Sequence, residues 1–82
     1  MALNNLGNCY FALGNVNQAA SSWSKAWEAD HSNAKAAYNL GFVAEKARDI
    51  DTALHYYRIY LSVVPEPPEQ IRNHIRDLER RR

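Results

Sequence analysis

The sequence predicts an all-α protein of stacked helical hairpins, an αα solenoid with five helices in total. Three observations carry this prediction. A shift of 34 residues superimposes Asn5-Leu6-Gly7 on Asn39-Leu40-Gly41 and Ala19 on Ala53. The replacements around these identities keep their physical character: Cys9 with Val43, Asn15 with Asp49, Val16 with Ile50, Trp23 with Tyr57 and Trp27 with Leu61. Self-similarity at one fixed period marks a repeat architecture. Within each period the apolar residues recur at three- and four-residue steps, which is the signal of a helix with one buried face.

Residues 1–33 form the first unit. Leu3, Leu6, Tyr10 and Leu13 make one apolar seam, Gly14-Asn15 breaks it, and Ala19, Ala20, Trp23, Ala26 and Trp27 make the next. Asn15 with Gln18 three residues later reads as a helix N-terminal capping pair. Residues 34–67 copy the pattern. Ala37, Leu40, Ala44 and Ala47 lead to a turn at Arg48-Asp49, followed by Ala53, Leu54, Tyr57, Tyr60, Leu61, Val64 and a Pro-rich linker. Gly7 and Gly41 fall inside helices, where glycine costs about 1 kcal/mol relative to alanine. The expected compensation is a neighbouring helix packed so closely that a side chain would block it. Residues 68–82 read as a C-terminal capping helix. Pro68 suits its first turn, Ile71, Ile75 and Leu78 supply a single seam, and Glu69, Gln70, Arg72, Asn73, Arg76, Asp77, Glu79 and Arg80 cover the rest. An apolar inside and a solvated outside suit a terminal repeat. The first unit has no such cap before it and is expected to be truncated at its N-terminus, the chain being the C-terminal end of a longer array.

Leu3-x2-Leu6-Gly7-x2-Tyr10, Ala19-x3-Trp23 and Ala26 resemble the tetratricopeptide repeat (TPR). Ala37-x2-Leu40-Gly41-x2-Ala44, Ala53-x3-Tyr57 and Pro65 resemble a second copy. The departures are Leu3 and Ala37 for the repeat's Trp, Ala44 for its Tyr, His31 for the first unit's Pro, and Tyr60 for a small residue. The resemblance covers residues 1–65. It implies a superhelix whose first-position helices line a concave groove, and a non-catalytic interaction or scaffold module that binds a protein or peptide partner there.

Asn5, Asn39 and Asn73 are spaced by 34 residues twice over, so they hold equivalent points on three successive first-position helices. Asparagine is a middling-to-poor helix former, and propensity does not account for it. A carboxamide offers both donors and an acceptor and so matches the backbone of an extended peptide whatever its side chains. The resemblance implies that such a ladder holds peptide backbone. Asn4 and Asn8 lie on or beside the same face of the first unit, Lys35, Tyr38, Phe42 and Lys46 in the second, and Arg72, Arg76 and Arg80 in the cap. Asn8 and Asn39 also match two positions of the family's carboxylate clamp. Asn4, Glu69 and Asn73 stand where its other, cationic residues belong, which removes the charge-assisted bonds a carboxylate needs. The alternative reading is self-association: the seam of Leu3, Leu6, Tyr10 and Leu13 lacks a preceding neighbour, and an exposed apolar face favours homo-oligomers or helix exchange.

Other chemistries find no support. A net charge of +1 gives no reason to expect nucleic acid, and the terminal Glu79-Arg80-Arg81-Arg82 is short and mixed enough to be simply solvated. No apolar run approaches the roughly 20 residues of a membrane span, and no basic-then-apolar signal segment opens the chain. The single Cys9 excludes an intrachain disulfide. It aligns with Val43 and is expected to be a small buried hydrophobe. His31, His55 and His74 show no metal-motif spacing. No catalytic set, metal or cofactor is expected.

Overall fold

The computed structural model describes residues 3–81, and of residues 3–5 the backbone only. Five α-helices follow one another: α1 (Leu3–Ala12), α2 (Val16–Ala29), α3 (Ala34–Lys46), α4 (Ile50–Val63) and α5 (Glu69–Arg81). There is no strand among the described residues. Short connections make α1–α2 and α3–α4 antiparallel hairpins. Contacts between α2 and α3 join the two hairpins, and α5 packs against α4.

The two hairpin turns are the same structure built from different residues. After α1, the Asn15 N–H donates to Tyr10 O and the Gly14 N–H to Phe11 O; after α3, Asp49 N–H donates to Ala44 O and Arg48 N–H to Glu45 O. These paired bonds are the Schellman pattern, which needs a left-handed residue just past the helix. Gly14 supplies it at φ 84°, and Arg48 at φ 63°. Asn33 and Asp49 then cap the next helices, accepting from the Ala36 and Thr52 N–H groups at 3.2 and 3.3 Å. Asn15 holds the N-cap position of α2, but its side chain accepts no cap hydrogen bond, so the Asn15–Gln18 pairing read from the sequence is not formed. Between the hairpins, Asp30 Oδ1 accepts from both the N–H and the hydroxyl of Ser32, at 2.9 and 2.6 Å. Those bonds hold its carboxyl below the usual range.

Both helical glycines meet an aromatic ring. A Cβ on Gly7 would lie 2.4 Å from Trp23 Nε1, and one on Gly41 would lie 2.7 Å from Tyr57 Cδ1. Real contacts are not that short, and Trp23 and Tyr57 are 2% and 1% exposed with no room to retreat. Around Trp23 gather Ala19 and Leu40, with Tyr10, Phe11, Trp27, Val43 and Tyr56 packed alongside. Around Tyr57 gather Ala44, Ala53, Leu54, Ile75 and Leu78, with Tyr38, Ile50, Leu61 and Ile71. The α5 seam therefore completes the second cluster.

Cys9 is exposed, contrary to expectation. Val43, its counterpart, is half-buried because the preceding hairpin supplies Trp23 and Ala19 beside it. Among the described residues nothing equivalent packs on the matching face of α1. Leu13 and Val16, at the first turn, are likewise 76% and 40% exposed.

Three helices converge on one carboxylate. Glu45 Oε1 of α3 accepts from the Tyr57 hydroxyl of α4 at 2.8 Å and from His74 Nε2 of α5 at 2.7 Å. Burial works to raise the Glu45 carboxyl, but the bonds from His74 and Tyr57 outweigh it and hold the group below its ordinary value of 4.5. Burial, reinforced by that facing carboxylate, pushes the Tyr57 phenol well above its ordinary range. Arg58 and Glu79 add a surface ion pair between α4 and α5 at 3.0 Å, worth at most about 1 kcal/mol.

Two stability measurements follow from this geometry. Arg48 carries the left-handed penalty that Gly14 avoids, so Arg48→Gly should stabilise the chain by about 1 kcal/mol. Thermal unfolding should register that as a rise of roughly 4–8 °C for a domain of this size. Glu45 has a depressed folded-state pKa, so its contribution is present above the ordinary value of 4.5 and is lost as pH falls below it. Denaturant titrations between about pH 6 and 3 should show a shallower acid loss for Glu45→Gln than for the native chain. Parallel curves would refute the assignment.

Candidate functional site

The first-position helices α1 and α3 carry little charge. α1 has no Asp, Glu, Lys, Arg or His (LNNLGNCYFA), and of these types α3 has only Lys35, Glu45 and Lys46. Glu45 is turned away into the Tyr57–His74 contact. On the remaining face of this pair lies an open groove of about 290 Å³, lined by Asn8, Phe11 and Ala12 of α1, Trp23 of α2, and Tyr38, Asn39 and Phe42 of α3.

Aromatic rings give the groove its form. Phe11 and Phe42 meet edge to face, ring centres 5.4 Å apart, and bridge α1 to α3. Phe11 also tilts onto Trp23 at 6.0 Å, which places the buried indole at the floor. Tyr38 packs at a tilt against Tyr57 and Tyr60, ring centres 5.5 and 5.4 Å away, so one wall is braced from the second core cluster. Lys46 holds its ammonium 5.2 Å from the centre of the Phe42 ring, a cation–π contact worth about 0.5–1 kcal/mol at an exposed site. Two carboxamides, Asn8 and Asn39, stand among these rings. Neither is hydrogen-bonded to another described residue. Their donors and acceptors are available to a ligand.

Of the residues singled out from the sequence, Asn8, Tyr38, Asn39 and Phe42 come together in this groove. Asn73 and Arg76 line a separate shallow depression on α5 with Asp77 and Arg80, where Asp77 is paired with Arg81 at 3.2 Å. Lys35 and Arg72 are exposed and line neither. The side chains of Leu3, Asn4 and Asn5 lie outside the described residues. In the seam proposed for self-association, Leu6 and Tyr10 are half-buried, with Tyr10 packed against the Trp23 cluster, while Leu13 projects into solvent. Phe11, Ala12 and Trp23 were not expected at the groove. Phe11 and Ala12 follow Asn8 by three and four residues, the helical spacing of a shared face, so the signal was present.

Among the described residues no group of three or more His, Cys, Asp or Glu side chains is placed to hold a metal ion. No helix there is long and apolar enough to cross a membrane.

Comparison with known proteins bears on the whole arrangement. No curated protein sequence matches the chain significantly. The family model of the TPR repeat matches residues 7–47, half of the chain, from the glycine that seats against Trp23 to the end of α3. Members of that family generally mediate protein–protein interactions and are typically non-catalytic. With its helical hairpins, its glycine–aromatic seats and this match, the chain belongs to the TPR repeat family.

Proposed function

We propose that the chain is a non-catalytic interaction module that holds an extended segment of a partner protein in the groove between α1 and α3. The observation that supports this reading is the pair of carboxamides, Asn8 and Asn39, set among aromatic rings and hydrogen-bonded to no other described residue. Backbone amides are the one polar feature that every extended segment shares, and a carboxamide pairs with both their N–H and C=O groups. The groove volume, about 290 Å³, sits at the lower end of the range for ligand cavities, which suits part of a chain laid across the helices. The reading taken from the sequence adds Lys35, Arg72, Asn73, Arg76, Asn4 and Asn5 as further contacts for the same partner segment.

The test uses peptides selected from a random display library on the native chain. The chain has two tryptophans, so Trp27→Phe leaves the groove-floor Trp23 as the sole reporter. Loss of a backbone contact should be indifferent to peptide sequence. Asn39→Ala should weaken unrelated peptides alike, by up to about tenfold. Affinities unchanged by Asn39→Ala and Asn8→Ala would sink the groove reading.

A second reading, homo-oligomerisation through the face of Leu3, Leu6, Tyr10 and Leu13, is favoured by the exposure of Leu13 and Val16 beside one another at the first turn. It predicts concentration-dependent mass in light scattering, abolished by Leu13→Lys. A monomer at high concentration would remove it.

A further inference from the structure

The groove has a chemistry of its own beyond the carboxamides, and it is lopsided. Four of its seven lining residues are aromatic, and none is charged. Phe11 and Phe42 meet edge to face, and both line the open groove with Trp23. Bulky apolar side chains bind such surfaces because they bury large area in preferred tilted or stacked geometries. The cavity is small enough to take one such side chain and too open to enclose a whole small molecule.

Charge is equally one-sided. Lys46 stands over the Phe42 ring at the groove's edge. It has no acidic partner among the described residues. The other cation of α3 is Lys35, and the only carboxylate side chain of α1 or α3 is Glu45, which is occupied by Tyr57 and His74. A negative group arriving beside the apolar site therefore meets Lys46, which forms no ion pair among the described residues, whereas a positive one is repelled.

We propose that the groove selects partner segments carrying a bulky apolar or aromatic side chain, seated against Phe11 and Phe42 over the Trp23 floor, with an acidic residue close by in sequence that reaches Lys46. This rests on the groove reading above and adds the side-chain specificity to it. Recognition is by an apolar anchor first, with charge setting orientation and partner choice.

The experiment is sequencing of the peptides enriched from a naive random library on the native chain, repeated on Lys46→Glu and Phe42→Ala, with circular dichroism melts to verify folding. The expected consensus has one aromatic or large aliphatic position and Asp or Glu within about three residues of it, since neighbouring extended residues are about 3.3 Å apart. On Lys46→Glu, an exposed site that bears no core packing, the acidic preference should give way to Lys or Arg. Replacing the anchor by alanine in an enriched peptide should weaken it at least about tenfold. Peptides that depend on Asn39 but show no apolar position, or that place Lys or Arg beside it on the native chain, overturn this proposal and leave the groove reading standing. Peptides indifferent to both Asn39 and Phe42 overturn the two together, as does a library that yields no enrichment.

Discussion

The structure depends on how closely two helices of a hairpin can approach, and the missing side chain of a glycine decides it. Gly7 and Gly41 let Trp23 and Tyr57 lie directly on helix backbone. From that seat Tyr57 packs against the ring of Tyr38, contributes to the cluster that α5 completes, and places its hydroxyl on Glu45. Glu45 in turn meets His74. One absent methyl thus sets the spacing of α3 and α4 and, through the tyrosine, the docking of α5. In the first hairpin the same device presents Trp23 as the floor of the groove. The glycines cost helix propensity of about 1 kcal/mol each, which burial of a large aromatic side chain offsets with about 1.5–3 kcal/mol.

Much of this was legible in the sequence, for a physical reason. Whatever depends on a helix's own period or on its hairpin partner is written locally and, in this chain, written twice. The 34-residue echo placed the helices, the turns and the two packing glycines, because each is needed once per unit. The left-handed turn residue was legible at Gly14 and hidden at Arg48, where an ordinary side chain occupies the same φ region. What was not legible depends on neighbours that differ between copies. Cys9 and Val43 hold equivalent positions, yet one is exposed and the other half-buried, because only Val43 has a preceding hairpin packed beside it among the described residues.

The candidate site divides in the same way. Its carboxamide Asn39 and its aromatic residues Tyr38 and Phe42 were identified from their shared helical face. On the far wall Asn8 was identified and Phe11 was missed, because Phe11 faces Phe42 only once α1 and α3 are set side by side by α2. Asn73 obeys the period but lies in a different depression from Asn39. Equivalent register on successive helices places residues on comparable faces, while membership of one cavity depends on the neighbouring side chains.

The bond between Glu45 and His74 spans 29 residues. That span is shorter than one repeat period. Little loop-closure entropy is spent in forming any contact, and topologies of this low contact order fold quickly. Each hairpin needs only its immediate neighbour, so folding can begin in either and spread by stacking. Groove and scaffold share Trp23, whereas the exposed positions Asn8 and Ala12 take no part in the glycine seats, so a change there leaves the same helices assembled.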